Sequence, residues 1–213
     1  MRSFIRFLVA IALLVPAWFS GMAAVGQPAT NPLLERFASQ IGQQPLLRAT
    51  FTQTKTMAAL KRPLQSSGSM IYAKDAGVWW QLEQPLRVGY VLSETQVIEL
   101  AADGTRKVRS AKEVAGLAQM SRVFRALLGS NVAALQEIFT LETKGTEASW
   151  EMVLVPKSAQ MAQAISRITL AGGKSIGSIQ IQEAGGDSTK IVLMPVLGAA
   201  SLTTAEMAAF GLK

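Results

Sequence analysis

Among the 213 residues there is no histidine and no cysteine. The first absence removes the commonest general base and metal ligand, and the second removes thiolate nucleophiles and soft-metal sites. What remains for acid or base work is 14 carboxylates, of which Glu83, Glu94, Glu99 and Glu142 lie on or beside stretches that alternate like strands. Paired carboxylates hydrolyse glycosides, but no spacing here selects a pair. Gly172-Gly173-Lys174-Ser175 has the last residues of a phosphate-binding loop, yet Ile168 stands where the first glycine is required, so the stretch reads as a hairpin turn. The expectation is a chain that is not an enzyme and that holds no metal and no cofactor.

The apolar residues say more. Phe51, Met70, Tyr72, Trp80 and Leu82 are candidates for one inward face, together with Trp150, Met152, Leu154, Ile179 and Ile181. Ile98 and Leu100, which share one side of their strand, are assigned to the same lining. Such a face is either an ordinary core or the wall of a cavity for an apolar ligand. Seven of the nine methionines, leaving out Met1 and Met22 near the N-terminus, suit the second, because flexible thioethers accept acyl chains of variable shape.

These residues need elements to hold them. Leu46–Met57 carries threonine at every second position opposite Leu47, Ala49 and Phe51, a strand pattern. After a connection through Leu60-Lys61-Arg62-Pro63, Gly68–Pro85 reads as a hairpin with Gly68 opening its first strand. Trp79 and Trp80 are adjacent in the second strand and so point to opposite faces. Val88–Leu92 and Gln96–Ala101 continue the meander, and Asp103-Gly104 turns into Arg106–Ser110. Strands resume at Phe139–Lys144, Ser149–Val155, Ile165–Ala171, Ile176–Glu183 and Thr189–Met194.

Helical spacing interrupts this run in four places. Leu33, Leu34, Phe37 and Ile41 mark an early amphipathic helix, and Val114 to Leu128 mark a longer one with Val123, Phe124 and Leu127 on its stripe. Val132–Gln136 and Thr203–Phe210 are shorter. About nine to eleven strands with helices grouped at the start, middle and end predict an α+β fold: a strongly curved antiparallel sheet covered by helices. The helices that carry Leu34, Phe37, Val123, Phe124 and Leu127 are then either plugs of a core or the lid of a pocket, and these five are the lid residues in the second case.

At the N-terminus, Arg2 and Arg6 precede an apolar run from Phe7 to Val15, followed by small residues at Gly21–Ala24. This is the layout of a secretory signal peptide, here 1–24, leaving 25–213 as a single exported domain. The formal charge of +7 is scattered, without the basic and aromatic interleaving that binds nucleic acid.

Several short motifs occur in a telling order. They are Phe51-Thr52-Gln53, Gly68, Trp80-Gln81-Leu82-Glu83-Gln84-Pro85, Tyr90-Val91-Leu92, Leu127-Leu128-Gly129 and Trp150 to Lys157. In this order the chain resembles the LolA-type family of periplasmic outer-membrane lipoprotein carriers. The resemblance implies an unclosed β-barrel with a helical lid over an apolar cavity for lipoprotein acyl chains. It also implies an inner-membrane transporter that loads the carrier, an outer-membrane acceptor that empties it, and a monomer.

Family members usually have an Arg-Pro pair before the tryptophan strand, whose arginine holds the lid closed. Lys74-Asp75-Ala76-Gly77 stands there instead, so lid control or cargo differs, and a dedicated carrier for a glycolipid or aryl-polyene system fits equally well. The alternative is a non-carrying interaction or sensor module of the same fold, its interior filled by its own side chains.

Overall fold

The computed structural model describes Leu34, residues 45–93 and 95–110, Val123, Ala126, and residues 132–198 and 200–212. The expected signal peptide lies outside the described residues, as do Phe37, Phe124 and Leu127.

The strands are β1 (Leu46–Thr56), β2 (Leu64–Ala73), β3 (Gly77–Gln84), β4 (Val88–Leu92), β5 (Gln96–Ala101) and β6 (Arg106–Ser110), then β7 (Phe139–Gly145), β8 (Trp150–Pro156), β9 (Ile165–Gly172), β10 (Ile176–Glu183) and β11 (Ser188–Pro195). They form one sheet of 11 antiparallel strands in the order β6-β5-β4-β3-β2-β1-β11-β10-β9-β8-β7. Two meanders therefore meet where β1 pairs with β11, and β6 and β7 end the sheet without pairing, so the barrel is unclosed.

The chain leaves the sheet at β6 and re-enters at the opposite edge, β7. Within that crossing, helical Val123 and Ala126 are buried in the same cluster as Phe51 and Met152, and helical Leu34 joins them. The helix Val132–Ile138 adds fully buried Leu135. The sheet thus wraps a core that is capped by helical residues and not by a further strand.

Local chemistry explains the elements. In β1 the threonines at 50, 52, 54 and 56 take the outer face, while Ala49 and Phe51 are buried. The Asp103-Gly104 turn has the expected form, with Gly104 at φ 84° and the Asp103 carboxylate accepting from the Thr105 N–H at 2.8 Å. Strand β2 begins at Leu64, four residues before the expected opening at Gly68, because β1 continues to Thr56 and its threonine and lysine backbone pairs with Leu64–Ser67. A short helix, Ala159–Ala162, lies between β8 and β9, where the Ser158 hydroxyl accepts from the Met161 N–H.

The outer face carries a second apolar cluster over β2 to β5: Ala73, Val91, Ile98 and Phe210, with Trp79 and Leu100 packed against it. Its cover is the C-terminal helix Thr204–Phe210, which starts at a capping box. The Thr203 hydroxyl accepts from the Glu206 N–H at 3.2 Å while the Glu206 carboxylate accepts from the Thr203 N–H at 2.7 Å. Two arginines of the sheet hold this helix. Arg48 donates to both oxygens of Glu206, at 2.8 and 2.6 Å, and Arg106 donates to the Ala208 carbonyl at 3.0 Å.

The Arg48 hydrogen bonds, helped by the Thr203 N–H, hold the Glu206 carboxyl at about 2 instead of an ordinary 4.5. A depressed carboxyl pKa contributes stability that is complete above the ordinary value and is lost as pH falls through the folded value. The wild-type thermal midpoint is therefore expected to drop as pH falls from 4.5 towards about 2. Replacing Arg48 by methionine is expected to cost about 2 kcal/mol at neutral pH. Urea unfolding at neutral pH and at about pH 3 checks this, since the gap between variant and wild type must narrow at the lower pH.

Candidate functional site

The site is the concave face of the sheet, built from rows of directly paired residues. In the first meander Ala49, Met70, Trp80 and Tyr90 lie opposite one another across β1 to β4. The next row is Phe51, Gly68 and Leu82. Gly68 has no side chain, and the Phe51 ring fills the space above it: a Cβ there would lie 3.0 Å from Phe51 Cζ. Leaning over the glycine brings Phe51 onto Trp80, with ring centroids 3.9 Å apart and planes 25° from parallel.

The second meander contributes Met152, Leu170, Ile179 and Ile191 in one row and Leu154, Ile168 and Ile181 in the next. At the seam, Phe51 faces Leu193 and Gln53 faces Ile191. Ten of the 12 expected lining residues, Trp150 included, are brought into this single cluster. Two are not. Ile98 and Leu100 belong to the outer cluster beside Trp79, because Ile98 pairs with Val91, which pairs with Trp79. The concave position of β5 is held instead by buried Val97, which faces Leu92. Alternation selected the face of Ile98 and Leu100 over that of Val97, Glu99 and Ala101, but here the more apolar face turns outward, where the C-terminal helix with Phe210 covers it.

Of the expected lid, helical Leu34 and Val123 are buried in the concave cluster, and Ala126, which the sequence reading did not name, is buried with them. The two tryptophans separate as their adjacency requires: Trp80 is concave, and Trp79 is covered by the outer cluster, its buried indole N–H having no hydrogen-bond partner among the described residues. Trp150 instead donates to the Gly173 carbonyl at 2.6 Å.

Among the described residues the strand carboxylates are dispersed. Glu83 accepts from the Ser69 hydroxyl at 3.2 Å, Glu142 is exposed on β7, and Glu94 lies outside the described residues. Glu99 stands opposite Tyr90, whose phenol is pushed above its ordinary value by burial first and by the Glu99 charge second. Gly172–Ser175 closes the β9–β10 hairpin, with the Gly173 N–H donating to the Ser175 carbonyl. Among the described residues no group of three or more acidic side chains is placed to hold a metal ion. The side chains of the concave face pack against one another in a single apolar cluster.

The family model for outer membrane lipoprotein carrier protein LolA-like chains matches residues 31–212. This chain belongs to that family. An outer-membrane lipoprotein carrier protein of Methylococcus capsulatus is 31% identical over 188 residues, spanning 87% of this chain and 84% of the relative. Among solved structures, a LolA superfamily protein from Nitrosomonas europaea aligns with 78% of this chain and 94% of its own, at 4% identity and a TM-score of 0.42. A DUF1329 family protein from Desulfovibrio piger aligns with 83% and 96%, at 12% identity and a TM-score of 0.45. The family arginine before the tryptophan strand has no counterpart in the β2–β3 turn of this LolA-like chain, where Lys74 and Asp75 are exposed and the Lys74 N–H donates to the Pro45 carbonyl.

Proposed function

We propose that this LolA-like chain is a periplasmic carrier that takes up the acyl chains of a lipoprotein, or of a related lipid or glycolipid, and moves them from the inner to the outer membrane. The observation that supports it best is the concave face itself. It is apolar over most of both meanders, Gln53 and Glu99 excepted, and among the described residues it is capped by helical Leu34, Val123 and Ala126 and not by a closing strand. Helices can be displaced from such a face without breaking a strand ladder, and acyl chains can replace the contacts they leave. Exposing those chains to water would cost about 0.8 kcal/mol per CH₂, so a protein enclosure is needed between membranes. In this reading 1–24 directs export and is removed, a transporter of the inner membrane loads the carrier, and an acceptor at the outer membrane empties it.

No helix among the described residues is long and apolar enough to cross a membrane. Native mass spectrometry of the protein extracted from the periplasm is expected to find bound lipid, and the delipidated protein is expected to take up a fluorescent acyl probe. Absence of both would overturn the carrier reading in favour of a non-carrying module. Trp80, half-buried at the concave surface, is the residue whose loss separates binding from stability. Trp80→Ala is expected to weaken probe binding about tenfold while destabilising the fold by less than the 3–5 kcal/mol typical of a fully buried aromatic.

A further inference from the structure

The two turns that flank β2 and β3 bring exposed leucines and exposed cations together at one end of the sheet. In the β1–β2 turn, Leu60 is 43% exposed, and Leu64 at the start of β2 is 52% exposed. In the β3–β4 turn, Leu86 is 76% exposed. Between and beside them stand exposed Lys61, Arg62 and Arg87, none of which makes an ion pair among the described residues. Neither turn, Met57–Leu64 or Pro85–Arg87, contains an acidic residue.

The turns share one end of the molecule because β2 pairs with β3, the last pair being Ser67 with Gln84. Strand β2 continues past that pair by Leu64–Ser66, so the β1–β2 hairpin projects about 10 Å beyond its neighbour at about 3.3 Å per residue. The carboxylates nearest this end are already engaged. Glu183 pairs with Lys55 at 3.0 Å, Asp187 accepts from the Ala58 N–H at 2.9 Å, and Glu83 accepts from Ser69.

We propose that these two turns form a docking tip for an anionic lipid bilayer surface. Exposed leucines in water-facing turns are costly unless something apolar receives them, and a protein groove would not call for a surrounding ring of unpaired cations. An anionic membrane meets both requirements: the leucines enter the headgroup and acyl boundary while Lys61, Arg62 and Arg87 remain at the level of the phosphates. The tip is separate from the concave face and does not depend on the carrier reading, since a chain that carried nothing would dock equally well.

Co-sedimentation of the full chain with phosphatidylcholine vesicles, with and without phosphatidylglycerol, tests this. The wild type is expected to partition onto the anionic vesicles and to be released by salt. The combined variant Lys61→Ser, Arg62→Ser, Arg87→Ser is expected to lower that partitioning about a hundredfold, from about fivefold per cation. Leu60→Ser, Leu64→Ser, Leu86→Ser is expected to lower it as well, and Lys74→Ser with Lys174→Ser, in turns at the other end of the sheet, to leave it unchanged. Unchanged partitioning of either tip variant, equal binding to neutral vesicles, or an equal loss in the Lys74 and Lys174 variant would overturn the proposal. All the substituted side chains are exposed, and unchanged near-ultraviolet circular dichroism verifies that each variant is folded.

Discussion

Gly68→Val is expected to leave no folded protein at growth temperature. A Cβ at this position would lie 1.8 Å from the Gln81 carbonyl oxygen and 2.9 Å from its carbonyl carbon. Both atoms are backbone of β3, so no side-chain rotation relieves the clash. The β2–β3 ladder must separate at Gly68 and Leu82, where the register already shifts between Ser67 and Gly68. Its separation displaces Phe51, whose ring occupies the space over the glycine. A loss well above about 4 kcal/mol is the expectation, against a total stability of about 5–15 kcal/mol for a typical domain. Gly185→Ala is the control: its Cβ would meet nothing within 4 Å, and the change is expected to stay within about 0.5 kcal/mol. Soluble yield and thermal midpoint of the two variants decide the matter, and a Gly68 variant of near wild-type midpoint would show that the strands can part at this point.

The second large effect is expected from Phe51→Ala, at about 3–5 kcal/mol. Phe51 is 1% exposed, faces Gly68 on one side and Leu193 on the other, and stacks on Trp80. It therefore joins the two meanders at the β1–β11 seam as well as supporting the candidate binding surface. Truncation leaves a void that a sheet backbone on both sides cannot collapse, and it removes the partner of Trp80. Phe51→Leu, which keeps much of the volume, is expected to lose less than half as much. Urea unfolding measures both, with an unchanged slope showing that stability and not the unfolded state has altered. A loss below about 1 kcal/mol for Phe51→Ala would mean that the two meanders are held together elsewhere.

The sequence by itself determined a good deal. Period-two alternation placed all 11 strands, and glycine-containing turns separated them. The last amphipathic piece, expected over Thr203–Phe210, is the helix Thr204–Phe210. Absence of histidine and cysteine removed most chemistry before any geometry was known. Ten residues of the concave cluster were legible because alternation along their strands suggests which side turns inward.

Where alternation fails, only tertiary structure decides. Val97 and Ile98 are both buried, one on each side of the sheet, and their assignment depends on the pairing of β4 with β5 and on the helix that covers the outer face. The union of β1 with β11 joins residues more than a hundred positions apart, and Arg48 meets Glu206 across 158, so neither leaves a local pattern to read. The same holds for Phe51 and Trp80. Their types and strands were evident, but their contact exists because an intervening glycine leaves room for one ring to reach the other. Alternation is a property of one strand, whereas inside and outside belong to the assembled sheet.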